Sequence, residues 1–161
     1  MQRRILFTGL TGLLATPLAA TAAPAGNAAE RFAAALNAHD IEAFAALFAE
    51  DYEQHQSSAA ARPPPAGLSA KAATKAYFAA RLAALPDLSV VADPVVAAGD
   101  WVAANFTYAG THSGAPYFGV PPSGRAIRFS SCDILFTRGG LIAAHWGAAD
   151  IAGLLVQLKG G

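Results

Sequence analysis

The sequence predicts an α+β domain in which helices from the first half of the chain pack on one face of a curved antiparallel sheet built by the second half. Three observations predict it. Between Asn27 and Leu85 the large apolar residues recur every three or four positions, the period of a helix face. After Pro86 the period falls to two, and valine, isoleucine and aromatic residues take over. Glycine-bearing turns then separate the strand candidates closely enough for a meander, and helices followed by strands in separate blocks mark α+β rather than alternating chains. A sheet curved over helices encloses an apolar pocket between the two layers.

The elements follow in order. Phe32 and Leu36 define a first helix, and Asp40 is placed to cap a second over Ile41 to Ala49, with Phe44, Leu47 and Phe48 on its apolar side. Asp51 to Gln56 is polar around Tyr52, and the following stretch holds Pro63-Pro64-Pro65, which can neither continue a helix nor donate to a sheet, so it is a loop. Ser69 caps a third helix to Leu85, whose Tyr77, Phe78, Leu82 and Leu85 form one stripe with Lys71, Lys75 and Arg81 mostly off it. Leu88 to Val96 and Trp101 to Gly110 are strands about a Gly99-Asp100 turn. A glycine- and proline-rich loop, His112 to Gly124, leads to a strand over Arg125 to Thr137. Arg138-Gly139-Gly140 turns the chain into Leu141 to Trp146. Asp150 to Leu158 is a short final helix or strand.

Of the 161 residues 54% are hydrophobic, and 11 basic residues balance 11 acidic ones. Long disorder is excluded by that composition, and a nucleic-acid binder would carry a basic excess along one face. A single cysteine, Cys132, excludes an internal disulfide framework. Arg3-Arg4, an apolar run from Ile5 to Leu14, Pro17 and the small residues Ala20-Thr21-Ala22 have the layout of a secretory signal peptide. The expected division is a signal peptide over 1–22, cleaved near Ala22, and one domain over 23–161. The expected destination is the periplasm or the exterior, with membrane contact only through an uncleaved leader.

Histidine changes charge near neutral pH, so each of the four is a candidate acid or base. His39 is a surface or capping residue. His55 stands at a plausible pocket rim; His112 either faces the cavity or bonds its own loop; His145, with Leu141 and Ala143 at period two, is either a pocket group or a satisfied core histidine. Among carboxylates, Asp87, Asp93 and Asp100 sit at turns. Asp133 alternates with Ser131 and Leu135, and is either at an edge or paired with Arg125 or Arg128. Small and apolar neighbours of Asp150 would desolvate it and raise its pKa toward acid–base use, whereas capping a terminal helix at Ile151 is the competing role. No His-x-x-x-His or His-Glu-x-x-His spacing is present, and Cys132 reads as packing.

Gly99-Asp100-Trp101-Val102, Gly110-Thr111-His112-Ser113-Gly114, Phe118-Gly119-Val120-Pro121-Pro122-Ser123-Gly124-Arg125, Asp133-Ile134-Leu135-Phe136, Gly139-Gly140-Leu141-Ile142, His145-Trp146 and Asp150 resemble successive blocks of the SnoaL-like polyketide cyclases, or ester cyclases. The resemblance spans nearly all of the chain after the leader. It implies the cone-shaped α+β fold shared with nuclear transport factor 2 and ketosteroid isomerase. It also implies closure of a polyketide methyl ester ring by an intramolecular aldol reaction without metal or cofactor, with an aspartate, matching Asp150, as general acid and base. By the same resemblance His145 and His112 assist Asp150, while His55, Tyr52, Tyr108, Trp146, Asn105 and Phe118 line the ligand pocket. Leu141 and Ala144 stand where the family commonly has lysine and glutamate. Pairing of two copies through their sheets is a further implication. Two functions are therefore expected: a cofactor-independent cyclase- or isomerase-type enzyme for a small hydrophobic carbonyl compound, or a non-catalytic binder of such molecules.

Overall fold

In the computed structural model, described over residues 26–56 and 66–160, four helices pack against a five-stranded sheet of order β1-β5-β4-β3-β2. The elements are α1 (Ala28–Asn37), α2 (Ile41–Ala46), β1 (Phe48–Gln54), α3 (Ala70–Ala84), β2 (Ser89–Ala98), β3 (Trp101–Thr111), β4 (Ala126–Arg138), β5 (Leu141–Ala149) and α4 (Ile151–Lys159). The expected leader and the triple-proline loop lie outside the described residues.

Local signals account for most element ends. The Asn27 side chain accepts from the Ala29 and Glu30 amides while Glu30 returns a bond to the Asn27 amide, a reciprocal capping box that starts α1. Asp40 and Ser69 cap α2 and α3 as their sequence positions predict. The last segment is a helix, capped by Asp150 and closed by Gly160 in the left-handed conformation.

Two expectations are corrected. The second helix ends at Ala46, and Phe48–Gln54 is a strand; because β1 runs parallel to β5, the sheet is mixed rather than wholly antiparallel. Strands β2 to β5 form the antiparallel meander. Arg81 is not on the polar side of α3: it is 2% exposed, one turn beyond the buried Phe78.

Phe32 sits at the centre of the core, with ring centroids 4.9 Å from Phe44, 5.3 Å from Phe78 and 4.8 Å from Phe106, so that α1, α2, α3 and β3 meet on one side chain. Truncating such a residue to alanine costs about 3–5 kcal/mol. Helix α4 solves a separate problem. The ladder between β4 and β5 ends at Ser131 and Ala149, which leaves the backbone of Arg128 unpaired on that side. The Gln157 side chain accepts from the Arg128 N–H and donates to its carbonyl, both at 2.8 Å, while Leu154 and Leu158 go wholly into the core.

Candidate active site

Period-two alternation along β4 sends Ile127, Phe129, Ser131, Asp133 and Leu135 to the inner face. Cross-strand register puts Ala104 on one side of Asp133 and Gly147 on the other. Both are small, and the vacated space lets the carboxylate lie along the sheet toward β5. A Cβ on Gly147 would stand 1.9 Å from Asp133 Oδ1, so the residue opposite must be glycine.

The carboxylate uses that space to reach His145, two positions before Gly147 on β5. Asp133 Oδ1 lies 3.0 Å from His145 Nε2, and Oδ2 accepts a 2.5 Å bond from Ser131 Oγ. Both partners are nearly excluded from water, with side chains 4% and 3% exposed. A carboxylate acceptor places a hydrogen on Nε2, and Nδ1 is the ring nitrogen that faces away from Asp133. The Tyr52 hydroxyl of β1 meets that nitrogen at 3.3 Å. Burial, reinforced by the Asp133 charge, drives the Tyr52 phenol well above the usual tyrosine range, so it stays protonated and donates. Thr74 of α3, also buried, stands beside the same hydroxyl and partly offsets that rise.

A second buried group continues the row. Tyr108 of β3 stacks on Phe129 at 4.9 Å and stands beside Ser131, whose hydroxyl binds Asp133. Arg81 lies with Cζ 4.4 Å from the Tyr108 ring centroid, and donates from Nε to the Tyr117 hydroxyl at 3.0 Å and from Nη2 to the Tyr77 hydroxyl at 2.8 Å. Burial pushes the Tyr117 phenol up to about 12 and carries Tyr108 higher still, against the opposing pull of the Arg81 charge.

The expected site residues divide between this row and elsewhere. His145, Tyr52 and Tyr108 belong to it. Asp150 does not: it is exposed, and its carboxylate accepts the Gly153 N–H at 2.8 Å, so it caps α4 instead of projecting into the interior. His112 is fully buried and its bonds run within its own loop, with Nε2 left unpartnered among the described residues. Its amide donates to Arg125, its carbonyl accepts from Ser123 and Gly124, and Nδ1 lies 3.5 Å from Ser123 Oγ. His55 stacks on Trp146 at 4.7 Å on the opposite, outer face of the sheet. Asn105 is also on that face, bonded to the Asp93 carbonyl beside a shallow hollow of about 300 Å³. Phe118 is an exposed residue of left-handed backbone at a loop tip, packed edge-on against Tyr117.

The residues that sequence reasoning missed are Asp133, Ser131, Thr74, Tyr117 and Arg81. For Asp133 the signal was present, since its alternation with Phe129, Ser131 and Leu135 already placed it on the apolar face. The two arginines proposed as its partners are engaged elsewhere: Arg125 binds the Leu158 carbonyl, and Arg128 lies on the exposed face of β4. Among the described residues no three histidine, cysteine or acidic side chains converge as a metal would require.

Comparison with known proteins gives the family and the fold. The family model for SnoaL-like polyketide cyclases matches residues 26–158. TsrD from Streptomyces laurentii is 30% identical, with 81% of this chain and 91% of that one covered at a TM-score of 0.68. IdmH from Streptomyces antibioticus, a candidate polyketide cyclase, is 28% identical over 82% and 96% of the two chains, also at 0.68. A protein of ketosteroid isomerase-like fold from Catenulispora acidiphila is 21% identical over 82% and 92%, at 0.61, and shares the fold. No curated protein matches the sequence significantly.

Proposed function

We propose, for a chain that belongs to the SnoaL-like polyketide cyclase family, a cofactor-independent acid–base enzyme of cyclase or isomerase type that acts on a small hydrophobic carbonyl compound. The observation that carries this reading is the buried chain Tyr52–His145–Asp133. As substrate enters, the Tyr52 hydroxyl turns from Nδ1 to the substrate carbonyl oxygen, and His145 Nδ1, freed to act as the base, takes the proton beside that carbonyl. Asp133 holds the ring in the tautomer that exposes this lone pair and stabilises the imidazolium that forms. The phenol O–H remains on that oxygen as it becomes an enolate, and the protonated Nδ1 keeps Tyr52 from returning. The electron pair of the broken C–H bond then attacks a second carbonyl, whose alkoxide takes the proton back from the imidazolium, or the enolate is reprotonated at another carbon by the same imidazolium.

The test is exchange of the acidic C–H of a hydrophobic β-keto ester for solvent deuterium, followed by nuclear magnetic resonance. The parent should exceed buffer by about 10²-fold or more, and His145→Gln should lose that advantage. Parent and buffer rates that coincide would remove the enzyme reading.

Export of a mature chain beginning near Ala23, to the periplasm or the exterior, belongs to the same proposal. Mass spectrometry of the secreted or periplasmic fraction tests it, and an intact Met1 in membranes would refute it. Pairing of two copies through the outer sheet face is proposed as well, supported by Trp101 and Ile134, which stand about half exposed there. Light scattering at micromolar protein should give twice the monomer mass.

A further inference from the structure

We propose that the substrate of the acid–base site carries a carboxylate, and that Arg81 is the residue that receives it; this rests on the reading just given and narrows its substrate class. Arg81 is a cation almost removed from water, at 2% exposure. All eleven acidic side chains of the protein are among the described residues, and none forms an ion pair with it. Asp133, the one buried carboxylate, is spent on His145 and Ser131. A buried charge is expected to be paired, because the interior replaces little of the hydration it has lost.

Among the described residues the groups that contact Arg81 are neutral. Tyr77 and Tyr117 accept one hydrogen bond each, and the rings of Phe78, Tyr108, Tyr77 and Phe129 lie 4.4–5.0 Å from Cζ. Ring faces attract a cation but carry no net charge. Two of the guanidinium N–H groups serve the phenols, and a planar fork of this kind matches a carboxylate. Tyr77 is only half-buried, so this end of the row reaches the surface.

The placement defines the ligand. Arg81 and His145 are the two ends of one row through Tyr108, Ser131 and Asp133. A molecule spanning it holds an acid group at Arg81 and an exchangeable C–H at His145, with apolar carbon against the rings between. The structure therefore selects a hydrophobic keto acid over the corresponding ester.

Calorimetry with 1-naphthylacetate and its methyl ester, on the intact protein, tests this. The acid should bind about tenfold tighter than the ester or better, since a charge-assisted bond is lost on esterification. Arg81→Met should bring the two to within about twofold, and Arg81→Lys should retain part of the preference. Should Arg81→Met fail to fold, the ratio in the parent decides alone. Equal affinities, a preference for the ester, or binding of neither at millimolar concentration would overturn the proposal. A ratio near one with deuterium exchange intact removes the carboxylate and leaves the acid–base reading standing; a clear acid preference without exchange does the reverse.

Discussion

Gly147 stands directly across the β4–β5 ladder from Asp133, and a Cβ at that position would lie 1.9 Å from the carboxylate oxygen that bonds His145. The glycine is thus a condition for the Asp133–His145 contact, and not a flexible joint. Gly147→Ala should push the carboxylate aside, cost about 1–3 kcal/mol as an overpacked site, and lower the thermal midpoint. Deuterium exchange should fall with it. A variant as stable and active as the parent would show that the carboxylate has another place to go.

The two carboxylates weighed from sequence separate cleanly by substitution. Asp133→Asn should reduce exchange by about 10²–10⁴-fold, because the amide neither fixes the His145 tautomer nor balances its charge. Asp150→Asn should leave the rate nearly untouched, since asparagine caps a helix as well as aspartate, while Asp150→Ala should cost about 1 kcal/mol of stability. Rates for both variants and their denaturant midpoints check this.

Alkaline titration should find the phenols of Tyr52, Tyr108 and Tyr117 reluctant to ionise. Their folded values lie above the unfolded one of about 10. The stability they lend is complete below about pH 10 and lost as pH rises through the folded values, Tyr117 first at about 12. Ultraviolet phenolate absorbance at pH near 11 should therefore be much lower in the native protein than in urea. Equal absorbance would contradict their burial.

Asp87 gives the opposite sign. Its exposed carboxylate accepts from the Thr111 amide at 2.6 Å and the Thr111 hydroxyl at 2.7 Å, which hold its pKa below the ordinary range. That contribution exists above the unfolded value of about 3.9 and disappears as pH falls through the folded one. Asp87→Asn should be less stable than the parent at neutral pH, and the difference should shrink in acid. Thermal midpoints measured from pH 2 to 7 decide it, and a difference independent of pH would rule the carboxylate out.

How much of this was legible beforehand depends on range. Asn27, Asp40, Ser69 and the Gly139-Gly140 turn act on their immediate neighbours, and each marks its element correctly. Strand β1 was illegible because Phe48 continues the helical spacing of Phe44, and Glu50, Asp51 and Glu53 suit no isolated strand. It is extended because β5, more than ninety residues away, pairs with it. The site divides in the same way. Period two set Asp133 among Ser131 and Leu135 and His145 among Leu141 and Ala143 without deciding their roles, and that they meet depends on register and on an empty position opposite. Arg81 escaped entirely, since a long cation on an amphipathic helix is ordinarily solvated and only the rings and phenols from β3, β4 and the 112–124 loop make an interior for it.

Both tryptophans of the chain occupy the outer sheet face: Trp101 is 47% exposed and lies 5.6 Å from Trp146, which is itself stacked on His55. The polar row lies behind them, on the other side of the backbone. Intrinsic indole emission should accordingly be blind to a molecule settling among Tyr52, His145 and Arg81, yet should shift to the blue when two sheets come together. A single optical signal thus follows assembly without interference from occupancy, and calorimetry remains the means of following occupancy itself.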